Sequence, residues 1–179
     1  MNKKITFIVF FLLSLPLFSA EQDLNRYTSS YTSIDEKDCI SLDSDDIGSI
    51  EECEPFGNIS VKVIEGDFRQ SIVLTRNMQE YILDFQSTIS YAFSYLGEKI
   101  EWRHEVGKPE HIKGMIVRLN VNSDFEDLDK TTSFLVVSKI TPKKICVIGK
   151  ILPQENQNEV AIAMLDDSKD RPCIKVKKS

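Results

Sequence analysis

Between Gly97 and Gly107 the chain reads Gly-Glu-Lys-Ile-Glu-Trp-Arg-His-Glu-Val-Gly. Ile100, Trp102, His104 and Val106 alternate strictly with Lys99, Glu101, Arg103 and Glu105. A period of two bounded by glycine specifies a strand with one buried and one wet face. The stretch also holds the only tryptophan, the side chain with most area to bury and so the natural core anchor. Whatever fold the chain adopts must give this strand a sheet to join and a core for Trp102.

The neighbouring segments supply that sheet. Tyr27 to Ser33 alternates aromatics with Thr and Ser. Ile59, Val61 and Val63 alternate with Ser60 and Lys62, and Ile72 and Leu74 with Ser71 and Val73. After the Lys108-Pro109 turn, Met115, Val117, Leu119 and Val121 alternate with Ile116, Arg118 and Asn120. Phe134 to Val137 is apolar at every position, which predicts a central strand covered on both faces. Thr141-Pro142-Lys143-Lys144 turns the chain into a last strand from Ile145 to Leu152. Two segments read as helix. Ile82, Phe85, Ile89, Ala92, Phe93 and Leu96 fall at helical spacing between Met78 and Leu96, with Gly97 as a C-terminal cap. Asn156 and Glu159 resemble a capping box ahead of Val160, Ala161, Met164 and Leu165. Short, turn-bounded alternating runs without a long crossover helix before residue 152 predict an α+β domain. Its sheet is mainly antiparallel, with a strand meander from Gly97 to Leu152 and one or two helices packed on one face.

The N-terminus adds a compartment. Met1-Asn2-Lys3-Lys4 is basic, Ile5 to Phe18 is apolar, and Ser19-Ala20 is small. The run is shorter than the ~20 apolar residues of a membrane span, so residues 1–20 read as a secretory signal peptide and residues 21–179 as one exported domain. The expected location is the periplasm or the medium, with no membrane insertion once the leader is gone. The four cysteines, Cys39, Cys53, Cys146 and Cys173, are then expected to form two disulfides. Of the three possible pairings, Cys39–Cys53 with Cys146–Cys173 keeps each bridge within one local unit. There is no Cys-x-x-Cys and there are only two histidines, so no zinc site is expected. The sequence asks for no other cofactor either.

The net charge is −6, and the leader carries two lysines and no acid, so the exported part is more acidic still. That argues against nucleic acid as a partner and favours a cationic one. The acids crowd between Asp35 and Glu54, where Lys37 is the sole base. Asp43, Asp45, Gly48 and Glu54 match positions one, three, six and twelve of a calcium loop. Ile47 fails at position five, however, and Pro55 stands where the second helix should begin. The plainer reading is the solvated tip of a disulfide-clipped hairpin. Further on, Glu65-Gly66-Asp67-Phe68-Arg69 reads as a hairpin turn centred on its glycine. Asp67, Arg69, Glu101 and Arg103 are the candidate binding residues, provided the turn lies beside the polar face of the Trp102 strand. His104, on the apolar face, reads as a hydrogen-bonded core histidine rather than a base.

Several blocks together resemble a family of small exported bacterial proteins. They are Cys39 and Cys53, Val63-Ile-Glu-Gly-Asp-Phe-Arg-Gln70, Phe93-Ser-Tyr-Leu-Gly-Glu-Lys-Ile-Glu-Trp-Arg103, Phe134-Leu-Val-Val137, and the late Cys146 and Cys173. The family has no established activity, so the resemblance implies periplasmic export and a shared fold but no mechanism. The acidic block and the segment Met78 to Tyr91 depart from the pattern.

Three classes of function follow, in order. The first is a non-enzymatic module binding a periplasmic or envelope protein, cationic if charge decides; a cationic lysozyme is one partner that charge complementarity admits. The second is a hydrolase-type enzyme using Glu65, Asp67, Arg69, Glu101 and Arg103. No Gly-x-Ser-x-Gly, His-Glu-x-x-His or phosphate loop supports it. The third is a calcium-dependent module using Asp43 and Asp45.

Overall fold

A computed structural model describes residues 26–124, 126, 127 and 129–176. Residues 1–20, expected to be a leader, lie outside the described residues. Ten strands form one mixed sheet: β1 (Tyr27–Ser33), β2 (Ile40–Asp45), β3 (Gly48–Phe56), β4 (Ile59–Gly66), β5 (Arg69–Arg76), β6 (Gln79–Ile82), β7 (Ser94–Glu105), β8 (Lys108–Asn122), β9 (Thr131–Thr141) and β10 (Lys144–Ile151). Two helices accompany them, the single turn α1 (Phe85–Thr88) and α2 (Gln157–Asp166). The spatial order is β10-β9-β8-β7-β5-β4-β3-β2, with β1 on the open edge of β7 and β6 on that of β5. All pairings are antiparallel except β5 with β7, which are parallel and meet at one pair, Arg69 and Ser94. The expected α+β fold and the meander from β7 to β10 are both present.

That single pair joins two halves, and the core lies between them. Val61, Val63, Ile72 and Leu74 from β4 and β5 share one apolar cluster with Ile100, Trp102, Met115, Val117, Leu119 and Val136 from β7, β8 and β9. Trp102 is fully buried. It stacks on Phe56 at 5.2 Å between centroids, and its Nε1 donates to Thr32 Oγ1 at 2.8 Å. The alternation read from Ile100 to His104 therefore places its apolar members inward. Val106 falls in the turn beyond β7 and is exposed.

A second cluster covers the outer face of β8, β9 and β10. Ala161 and Leu165 of α2 pack there against Ile116, Leu135, Val137, Ile148 and Ile151. The stretch Phe134 to Val137 is thus an interior strand buried on both faces, as expected: β9 pairs with β10 on one side and β8 on the other, and α2 supplies the second cover. Asn156 does sit at the N-cap of α2, yet its side chain makes no capping bond. The buried Gln157 anchors the helix start instead, its Nε2 donating to Ser133 O at 3.0 Å and Ile151 O at 3.1 Å.

The helix expected from Met78 to Leu96 is not formed. The chain turns at Asn77-Met78, runs through β6, makes the four-residue α1, bends, and enters β7 at Ser94. Leu83 and Phe85 are both buried, a spacing of two that no helical face permits. They close the end of the core as a plug. A segment rich in Ser, Thr and Tyr gains too little from helix propensity to resist that tertiary demand.

Both disulfides pair as expected, Cys39 with Cys53 and Cys146 with Cys173. The first closes the base of the β2–β3 hairpin. The second ties the C-terminal tail to β10.

Candidate functional site

The open mouth between the two halves is an acidic groove of about 1120 Å³. Its floor is where the core runs out, at Ile34, Val63 and Leu96. One wall is the β2–β3 hairpin and the other is the start of β7. The carboxylates come from five places. Asp35 and Glu36 stand at the 3₁₀ turn Glu36–Asp38, and Asp45 and Asp46 at the β2–β3 turn. Glu51 projects from β3, Glu65 and Asp67 from the β4–β5 turn, and Glu98 from β7. Among the described residues no lysine, arginine or histidine lines the groove.

Local chemistry explains each wall. Asp45 Oδ1 accepts from the amides of Ile47 (2.9 Å) and Gly48 (3.0 Å), so the turn is held by its own aspartate. Asp35 caps the 3₁₀ turn and pairs with Lys37 at 2.6 Å. Across the groove, Gln70 accepts from the amide of Leu96 (2.7 Å) and donates to Glu65 Oε2 (2.9 Å). It thereby stitches β5 to β7 below the joining pair and fixes the Glu65 carboxylate. Among the described residues only Asp35 and Asp67 of these acids have an ion-pair partner. Burial raises the Glu51 carboxyl above its ordinary value, and repulsion from Glu36 and Glu65 adds to it.

The calcium-loop residues do not converge. Asp43 on β2 faces Ile50 on β3, and Glu54 lies four residues further along that strand, roughly 13 Å away. Among the described residues no group of three His, Cys, Asp or Glu is placed to hold a metal ion. The plainer reading of this block, a hairpin clipped by Cys39–Cys53, describes what forms.

Asp67, Arg69, Glu101 and Arg103 fall into two separate places. Arg69 pairs with Asp67, and its Nε donates to Tyr91 O at 2.8 Å while its guanidinium lies over the Phe93 ring at 4.9 Å. Arg103 grips Asp166 at the end of α2 in a two-pronged pair, 3.0 Å from Nε and 2.8 Å from Nη2. Asp166 holds the Arg103 guanidinium above its ordinary pKa. Glu101 accepts from Ser29 on β1. Arg69 is level with Ser94, and Glu101 is seven residues up β7, roughly 23 Å along the strand. The catalytic grouping of Glu65, Asp67 and Arg69 with Glu101 and Arg103 is therefore not assembled. His104 is buried, with Nδ1 donating to Glu105 O (3.1 Å) and Nε2 hydrogen-bonded to Ser30 Oγ (2.9 Å), as expected of a core histidine.

The β4–β5 turn corrects one further expectation. Pairing of Val63 with Ile72 puts Gly66 opposite Arg69, so the two-residue loop is Asp67-Phe68. Both take left-handed backbone, φ 50 and 56. Gly66, read as the turn residue, is simply the last residue of β4. Glu51, Gln70, Phe68, Phe93 and Tyr95 were not singled out as site residues. An aromatic where a hairpin asks for Asn-Gly is the one signal that could have marked Phe68. No family model matches the chain, and no curated protein or solved structure matches it either.

Proposed function

We propose that this chain is an exported, non-enzymatic binding module whose acidic groove takes a basic segment of a periplasmic or envelope protein. The observation that carries the reading is the groove wall itself: among the described residues, eight carboxylates and no basic side chain surround one concavity. Such a cleft focuses negative potential and draws cations in. The Glu51 carboxyl is raised first by burial, and the charges of Glu36 and Glu65 add to it, as a crowded acidic cleft would produce. The two disulfides suit an oxidising compartment, in keeping with residues 1–20 as a leader and with the resemblance to small exported bacterial proteins.

Titration calorimetry with a lysine-rich peptide tests the reading. Glu51→Lys with Glu65→Lys is expected to weaken binding at least tenfold. Glu155→Lys with Glu159→Lys changes the net charge equally but lies on exposed surface by α2, and is expected to leave affinity within twofold. Equal losses in both variants would mean that only net charge matters, and the groove would not be the site.

A further inference from the structure

Past the Asp67-Phe68 turn the groove opens into a second recess of about 310 Å³. Glu65, Phe68 and Tyr95 line both spaces, and Phe93, Asn122 and Thr131 help to complete the recess. Its chemistry differs from that of the groove. Three aromatic rings line it, and among the described residues Glu65 is its only charged one.

Phe68 is 71 % exposed, although exposure of a phenylalanine brings no folding benefit. It also sits at φ 56, a conformation in which a Cβ crowds the backbone and which glycine or asparagine would adopt more easily. The ring is nevertheless held in a defined place, edge-on to Phe93 at 5.7 Å. Phe93 is in turn fixed under Arg69. At the far wall Asn122 is 7 % exposed. Its Nδ2 donates to Asp127 O at 3.2 Å, but its Oδ1 has no hydrogen-bond partner among the described residues. That oxygen is closed off from the recess, so Asn122 contributes a wall rather than a hydrogen bond to anything held there.

We infer that the recess is an anchor subsite for one aromatic side chain, carried on the basic segment that the groove binds; this rests on the reading of the groove as a cation site. Two features commit it to that occupant. The recess is at the low end of the roughly 300–1,000 Å³ of small-ligand sites, which suits one side chain better than a free ligand. It opens directly beside Glu65, so an apolar group in it brings a neighbouring residue of the same segment to the carboxylates. A buried aromatic anchor ringed by polar contacts is also how tight interfaces concentrate their affinity.

Two lysine-rich peptides of the same length and charge, one with a central tryptophan and one with alanine there, are titrated into the wild-type protein. Burial of the ring is expected to tighten binding at least tenfold. Two variants follow, Phe68→Gly, which removes a wall while suiting the left-handed turn, and Thr131→Trp, which fills the recess from β9. In both, the ratio between the two peptides is expected to fall towards one. Phe68→Gly is expected to melt no lower than the wild type, which separates lost recognition from lost folding. Equal binding of the two peptides by the wild type would overturn the anchor subsite and leave the groove standing. A tryptophan advantage that survives both variants would place the ring elsewhere and overturn it too. Failure of both peptides to bind would remove the groove reading and this one with it.

Discussion

Arg103 and Glu51 show how charged side chains can serve opposite ends in one molecule. The Arg103 side chain is 12 % exposed and its partner Asp166 32 %. The pair also places a cation at the C-terminal end of α2, where the helix dipole favours it. Arg103→Ala is expected to cost about 2 kcal/mol, read as a lower melting temperature, and Arg103→Lys to restore only part of it, because an ammonium cannot grip both carboxylate oxygens. Full stability of Arg103→Ala would mean that α2 is held by its apolar stripe alone. Glu51 works against the fold. A carboxyl whose pKa is raised on folding favours the native state when protonated. That contribution is complete below the ordinary value of 4.5, and it is lost as pH rises through the raised one. Glu51→Gln is therefore expected to raise the melting temperature at pH 7, and the gain to vanish below pH 4.5. A residue retained against stability is what a binding groove requires.

At the scale of elements, the docking of α2 depends on what is missing from the strands beneath it. A Cβ on Gly114 of β8 would fall within contact distance of Ser138 O and Leu165 Cδ1, and one on Gly149 of β10 would meet Met164 Sδ. Ser138 O is backbone and cannot move aside, so Gly114 is the stricter of the two. Gly114→Ala is expected to destabilise by about 1–3 kcal/mol through overpacking. Hydrogen exchange should locate the loss in α2 and β8–β9 rather than in β2–β5. The hairpins show the other use of local geometry. Asp67-Phe68 and Asn77-Met78 close the two ends of β5 with left-handed pairs, and each presents a large exposed side chain where the turn itself would take glycine.

Across the whole molecule the two disulfides divide the labour. Cys39–Cys53 closes a separation of 14 residues and Cys146–Cys173 one of 27. Chain entropy assigns them about 3 and about 3.5 kcal/mol respectively. Their positions differ more than their energies. The first holds the hairpin that walls the groove, and Cys39 itself lines it. The second pins the tail, whose Ile174 amide donates to Val147 O at 2.9 Å. Cys39→Ser with Cys53→Ser is therefore expected to weaken lysine-peptide binding severalfold, while Cys146→Ser with Cys173→Ser lowers the melting temperature more and binding less. The reverse order would show that the hairpin needs no clip to keep the groove in shape.

The sequence by itself determined the strands, because their signal is local. Alternation from Ile100 to His104, from Ile59 to Val63 and from Met115 to Val121 is imposed by the pleat and by one buried face, and every one of these runs is a strand. It also favoured the disulfide pairs that form, because each closes a local loop, but three pairings were open to the sequence and the fold chose among them. Tertiary structure alone decided the rest. The stripe from Ile82 to Leu96 has helical spacing, yet the open end of the core needed a plug more than it needed a helix, and Leu83 and Phe85 went inward together. β9 is apolar on both faces because α2 happens to cover it, a fact carried by residues some thirty positions away. The candidate site was legible only in part. The acidic block and Glu65-Gly66-Asp67 announced negative charge, but not that a half-open sandwich would gather it around one mouth. Glu101 and Arg103 pointed away from the core as alternation requires, and the pairing of β1 and α2 with β7 then gave them partners other than Arg69. Such groupings join residues through pairings with no period and no spacing in the chain, and only the folded sheet states them.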